Sequence, residues 1–113
     1  MNSAYACTIP IQDEKFNLLI KEIPGPSNEH YFVFPKYVEN QPFVNVVMVV
    51  SNKDNNNSQV SSELHIKEKN NQIITKINSF NTNGLDVSIW VTWRGKSAVC
   101  PIIGSKNIQI EKK

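Results

Sequence analysis

"LDVSIWVTWRGKSAVCPII", residues 85–103, alternates apolar and polar side chains from Leu85 to Trp93 and then reverses through a glycine. Strict alternation is the period of a β-strand with one buried face. Leu85, Val87, Ile89, Val91 and Trp93 fall on one side, and Asp86, Ser88, Trp90, Thr92 and Arg94 on the other. A slip of one residue would send the whole apolar set to solvent, so the parity of this strand is fixed. Gly95-Lys96 has the form of a two-residue hairpin turn with glycine first. Antiparallel register about that turn sets Trp93 opposite Ala98, Val91 opposite Cys100 and Ile89 opposite Ile102. Cys100 then shares the core face, while Trp90 shares the outer face with Val99, Pro101 and Ile103.

Outward from this hairpin the chain repeats the pattern. Runs rich in Val, Ile, Phe and Tyr, punctuated by Asn, Gly, Pro and Asp, predict strands over Cys7–Ile11, Phe16–Ile23, Tyr31–Val38, Phe43–Val50, Val60–Glu68, Gln72–Asn78, Ala98–Ile103 and Asn107–Glu111. "EKFNLLIKEI" around Phe16–Ile23 also fits a two-turn helix. Lys69-Asn70-Asn71 suits a tight hairpin because Asn tolerates positive φ, and Asn83-Gly84 is a strong turn signal. The polar stretch Ser51–Gln59 reads as an exposed loop. The expected fold is all-β: one antiparallel β-sandwich domain over residues 1–113, immunoglobulin-like or similar, of about eight to nine short strands, with a small barrel as second choice. The long cysteine separation and the lack of a core Trp between the cysteines argue against an antibody-type domain.

At 113 residues, 40% apolar and 19% charged, the chain has the size and composition of one folded domain rather than of a disordered segment. A net charge of +2 does not announce a nucleic-acid or membrane-surface protein. No apolar run approaches the length that crosses a bilayer.

The two cysteines sit near opposite ends of the chain. Cys7 follows Ala4-Tyr5-Ala6, which has the small-x-small form of a signal-peptidase site, with residues 1–6 as a residual signal segment. The competing readings are coincidence and a lipid anchor on Cys7. A Cys7–Cys100 disulfide would close nearly the whole chain, worth about 4–5 kcal/mol in the chain-entropy model, and would persist only in an oxidising compartment. The bland alternative is a pair of buried free thiols in a cytosolic protein. The expectation is therefore a disulfide and a periplasmic or secreted protein.

Chemistry is hard to find. His30, His65, Cys7 and Cys100 show no metal-ligand spacing, no nucleophile motif occurs, and four glycines include no phosphate loop. The reading is no enzyme, no catalytic residue, no metal and no cofactor. Two features point to partners instead. Trp90 occupies the outward side of a regular strand, and Phe43–Val50 is apolar on both sides, with Val44, Val46, Met48 and Val50 opposing Phe43, Val47 and Val49. Something must cover that second face: the Phe16–Ile23 segment as a helix, or a partner. The sharper reading is a partner surface at Trp90, Thr92, Arg94, Val99 and Ile103. The expected role is that of a small exported module that recognises another protein, of inhibitor or immunity type. A structural subunit of a cell-surface or secretion assembly, joined through a sheet edge, fits the same features. A cytosolic barrel that binds single-stranded nucleic acid is the third reading, resting on Tyr31, Val33, Pro35 and Tyr37 sharing one face near Lys36.

Overall fold

The computed structural model describes residues 11–26, 29–54, 59–78, 83–95 and 100–108. In chain order these form β1 (Ile11–Gln12), α1 (Glu14–Asn17), β2 (Lys21–Pro24), β3 (Glu29–Pro35), β4 (Tyr37–Val38), β5 (Gln41–Asn52), β6 (Gln59–Glu63), β7 (Ile66–Lys69), β8 (Gln72–Asn78), β9 (Leu85–Trp93) and β10 (Ile102–Ile108). The larger sheet runs β1-β10-β9-β5, with β4 and β6 paired to the beginning and end of the far edge of β5. The smaller sheet runs β2-β3-β8-β7. The two sheets face each other as a β-sandwich and do not join into a barrel. Every pairing is antiparallel except that of β1 with β10, which is parallel.

Turn chemistry explains the tight connections. Asn70 and Asn71 both have positive φ, 53° and 62°, and join β7 to β8 with Lys69 opposite Gln72. This is the two-residue turn whose twist matches the strands it joins, and Asn tolerates it. Glu39 and Asn40 repeat it between β4 and β5, with φ of 50° and 65°. Gly84, at φ 76°, leads into β9.

The chain crosses between sheets at bends rather than at hairpins. Lys36 is the single residue between β3 in one sheet and β4 in the other; its N–H donates to Asn71 O (2.9 Å) and its carbonyl accepts from Phe43 N (2.7 Å). Tyr31–Val38 is therefore two strands, not one, and Tyr37 does not continue the face of Tyr31, Val33 and Pro35. Pro35 sits at the end of central β3, beyond the last β2 pair at Val33, so its missing N–H breaks no ladder bond there. Val60–Glu68 likewise divides into β6 and β7 at Leu64-His65.

Between the sheets lies one core. Phe32, Phe34, Ile73 and Ile77 come from the smaller sheet, and Val46, Val87, Ile89, Val91, Trp93, Ile102 and Ile108 from the larger. Trp93 stands edge-on to Phe34 with centroids 6.2 Å apart, and its Nε1–H donates to Pro35 O at 2.9 Å. Thr75, the buried polar residue of the core, donates its hydroxyl to His65 O at 2.7 Å.

The end of the core is sealed by α1. Asp13, extended at φ −145°, caps it by accepting from Lys15 N, and Phe16 drops into the core at 2% exposure. Asn17 Oδ1 accepts from Ser105 N at 2.8 Å, which ties the turn to β10. A Cβ at Gly104 would come within 2.8 Å of the Phe16 carbonyl oxygen, so glycine is what lets α1 lie against this strand. The Phe16–Ile23 segment is thus a short helix and then a strand. Its helix covers the inner side of the larger sheet and leaves the outer face alone.

Three further expectations change. Trp93 pairs with Ile102 and Val91 with Gly104, so the β9–β10 register is displaced by four residues from the tight hairpin. An even displacement keeps the parity, and Leu85, Val87, Ile89, Val91, Trp93 and Ile102 remain on the inner side. Gly95 serves a close approach, because a Cβ there would collide with the Cys100 carbonyl. Ala98–Ile103 and Asn107–Glu111 do not form separate strands over their described residues, since β10 runs unbroken from Ile102 to Ile108. In β5, a bulge between Phe43 and Asn45 turns Phe43 inward against Phe34 and leaves Val44 53% exposed. Phe43 thereby joins Val46, Met48 and Val50, while Asn45, Val47 and Val49 face out.

Candidate functional site

The outer face of the larger sheet carries the residues singled out by sequence. Trp90 lies at its middle, between Val47 on β5 and Ser105 on β10. Its Nε1–H donates to Ser88 Oγ at 2.9 Å, which fixes the indole along its own strand. Thr92 is flanked by Asn45 and by Ile103, so Trp90, Thr92 and Ile103 are neighbours. All three are half-buried, as is Val47, and no described element packs over them. Arg94 is exposed at the end of β9, where its backbone N–H donates to Pro42 O at 2.8 Å. Val99 lies outside the described residues. Four of the five predicted partner-surface residues therefore fall on or beside one face, and the four-residue displacement of register brings Ile103 beside Thr92.

Toward the other end, this face becomes a groove of about 570 Å³ walled by Trp90, Ser88, Asn107, Ser51, Asp86 and Gln59. Sequence reasoning missed it. Its signal was the run of short polar side chains at outward positions of β5, β9 and β10, hidden because the predicted strands break between Ile103 and Asn107.

Cys100 is buried at 5% exposure, and Cys7 lies outside the described residues. The parallel pairing of Ile11 with Ile102 draws the chain that follows Cys7 alongside the chain that follows Cys100.

Elsewhere the polar groups form surface pairs. Glu29 accepts from Tyr31 Oη (2.9 Å) and Lys76 Nζ (3.3 Å) on the outer face of the smaller sheet. The tyrosine hydrogen bond, then the lysine, lowers the Glu29 pKa, and the same Glu29 contact raises that of Tyr31. Lys36 is raised by its hydrogen bond to Glu68. His30 Nδ1 lies 3.1 Å from Glu22 Oε2, and His65 is exposed. Among the described residues no three His, Cys, Asp or Glu side chains gather as a metal site, and no helix is long and apolar enough to cross a membrane.

Compared with known family models, curated proteins and solved structures, the chain matches none.

Proposed function

We propose that this chain is a non-catalytic binding module that recognises another protein through the Trp90, Thr92, Arg94 and Ile103 end of its larger sheet. The observation that carries this is the half-exposed apolar stripe of Val47, Trp90 and Ile103, uncovered by any described element. An aromatic beside aliphatic residues with an arginine at the rim is the composition of an interface hot spot. The test places a photo-crosslinking residue at position 103, with position 67 on the smaller sheet as control. A purified protein captured only from position 103 is then titrated against wild type, W90A and I103E. Loss of binding in both folded variants supports the reading; unchanged affinity in both overturns it.

The module is proposed to be exported and closed by a Cys7–Cys100 disulfide. The parallel β1–β10 pair supports this, because Cys7 stands only four residues before Ile11, well within reach of a strand beginning two residues after Cys100. Such a loop would contribute about 4–5 kcal/mol by the chain-entropy estimate. Intact mass after alkylation in denaturant should show no labelled cysteine without reductant and both labelled with it. Labelling in denaturant without reductant would remove both the clasp and the argument for export.

Assembly through a sheet edge is favoured by β6. Gln59–Glu63 is exposed throughout, pairs among the described residues only with β5, and carries neither lysine nor proline, the usual guards of an open edge. A concentration-dependent dimer broken by Ser61→Pro would favour this second reading, and a monomer at all concentrations would remove self-assembly.

A further inference from the structure

We infer that the groove beside Trp90, at the ends of β5, β9 and β10 remote from Thr92 and Ile103, binds a neutral carbohydrate. The inference goes beyond protein recognition and does not depend on it. The two regions meet only at Trp90, with Thr92 and Ile103 on one side of the indole and Ser88, Asn107, Ser51 and Asp86 on the other.

Three observations carry it. The first is size. At about 570 Å³ the groove falls within the usual range of small-molecule sites, about 300–1,000 Å³. The second is lining. Sites for drug-like ligands are mostly apolar, whereas the exposed wall here is mostly polar, with one aromatic side chain. Ser51, Ser88, Asn107 and Gln59 are uncharged groups that both donate and accept hydrogen bonds, the property that a ring of hydroxyls requires. Lys53 and Asp86 are the charged lining residues and they cancel, so nothing selects an anion or a cation. The third is the indole itself. The Ser88 bond holds Trp90 in one orientation where it lines the groove half-buried, so the indole is the aromatic surface offered there to the weakly positive C–H side of a sugar ring. A platform already held in place loses little further freedom on binding.

The other large concavity supplies a contrast. It is about 350 Å³, lies over β7 and β8, and is walled mainly by apolar atoms of Leu64, Ile66 and Ile74. It offers no comparable array of uncharged hydrogen-bonding side chains.

The test uses the folded full chain and separate neutral fragments of glucan, mannan, galactan, xylan and chitin, with polygalacturonate fragments as the anionic control. Backbone amide and indole N–H shifts are followed by NMR. Trp93 is fully buried, so an indole shift confined to one resonance reports Trp90. At least one neutral sugar should give saturable shifts at Ser88, Trp90 and Asn107. Asp86→Ala and Asn107→Ala, both at exposed positions, should each weaken it by about tenfold, the loss of one good hydrogen bond. Arg94→Glu and Ile103→Glu should leave it unchanged. No shift with any neutral fragment, binding of the anionic fragment alone, or indifference to both groove substitutions would overturn the inference. The protein-recognition reading fails separately, through I103E, so either can fall without the other.

Discussion

Trp90 and Trp93 stand three residues apart on one strand and have opposite roles. Trp93 is wholly buried, edge-on to Phe34, and its indole N–H reaches Pro35 O, 58 residues away in sequence. Trp90 is half-exposed, and its indole N–H reaches only Ser88, two residues back. The inner tryptophan spends its polar group on joining the two sheets. The outer one spends it on setting its own orientation. Tyr31, on the outer face of the smaller sheet, behaves as Trp90 does: its hydroxyl donates to Glu29, again two residues back. Bonds that span the fold specify it, while bonds within one strand hold a side chain ready for something else.

The largest expected effect is on the inner side. Trp93→Ala removes a large buried ring and leaves the Pro35 carbonyl without its donor, which should cost about 3–5 kcal/mol. Against a total stability of about 5–15 kcal/mol this is a large fraction. Urea denaturation followed by circular dichroism reads it. A loss below about 1 kcal/mol would break the distinction between the two tryptophans.

Next comes Gly104→Ala, which tests the seal between α1 and β10. Its Cβ would meet Phe16 O at 2.8 Å and Trp93 Cζ3 at 3.3 Å, and backbone cannot yield as a flexible side-chain tip does. The expected cost is about 1–3 kcal/mol, seen as a lower urea midpoint at unchanged slope.

Gly104 also marks where the sequence was readable and where it was not. Strands β8 and β9 occur at their expected bounds because alternation and turn chemistry agree there: Asn70-Asn71 precedes the first and Asn83-Gly84 the second. Glycine at 104 looks like a breaker when only local preference is considered, and it ends a predicted strand. In the fold it is a strand residue, kept small by a helix that comes from residues far away in sequence. Gly95 misleads in a similar way. It invites a tight hairpin, yet Pro101 has no N–H for the ladder and pairing with β9 begins at Ile102. The outward placement of Trp90, Thr92 and Ile103 survived this error because the displacement is even, and parity alone decides which side chains point out. The groove did not, since it exists only once β10 is continuous and Asn107 stands opposite Ser88.

A smaller effect is expected on the outer side. Trp90→Ala removes cross-strand contacts with Val47 and Ser105 and should cost about 1 kcal/mol or less, because no buried donor or acceptor is orphaned. Proton spectra should keep the dispersion of the folded chain. A cost as large as that of Trp93→Ala would make Trp90 a core residue and take away the free face on which both binding proposals rest.

The smallest effect is a matter of pH. Glu29, held below its ordinary value by Tyr31 and Lys76, contributes stability that is present above the carboxylate range and lost as pH falls through its lowered folded pKa. Tyr31, raised by Glu29, and Lys36, raised by Glu68, contribute stability that is present at neutral pH and lost as pH rises through their raised values. Thermal midpoints should therefore form a plateau around neutrality with shallow shoulders in acid and in alkali. The shoulders are shallow for two reasons. All three groups are half-buried and keep contact with water, where such surface pairs are worth little. Glu29 and Tyr31 are also two residues apart, so an extended unfolded chain still samples part of their contact, and only the difference between folded and unfolded states enters the linkage. A steep acid shoulder abolished by Glu29→Gln would mean that the Glu29 contacts, which include Lys76 on neighbouring β8, stabilise the fold far more than a surface pair does, and would dissolve the contrast with Trp93.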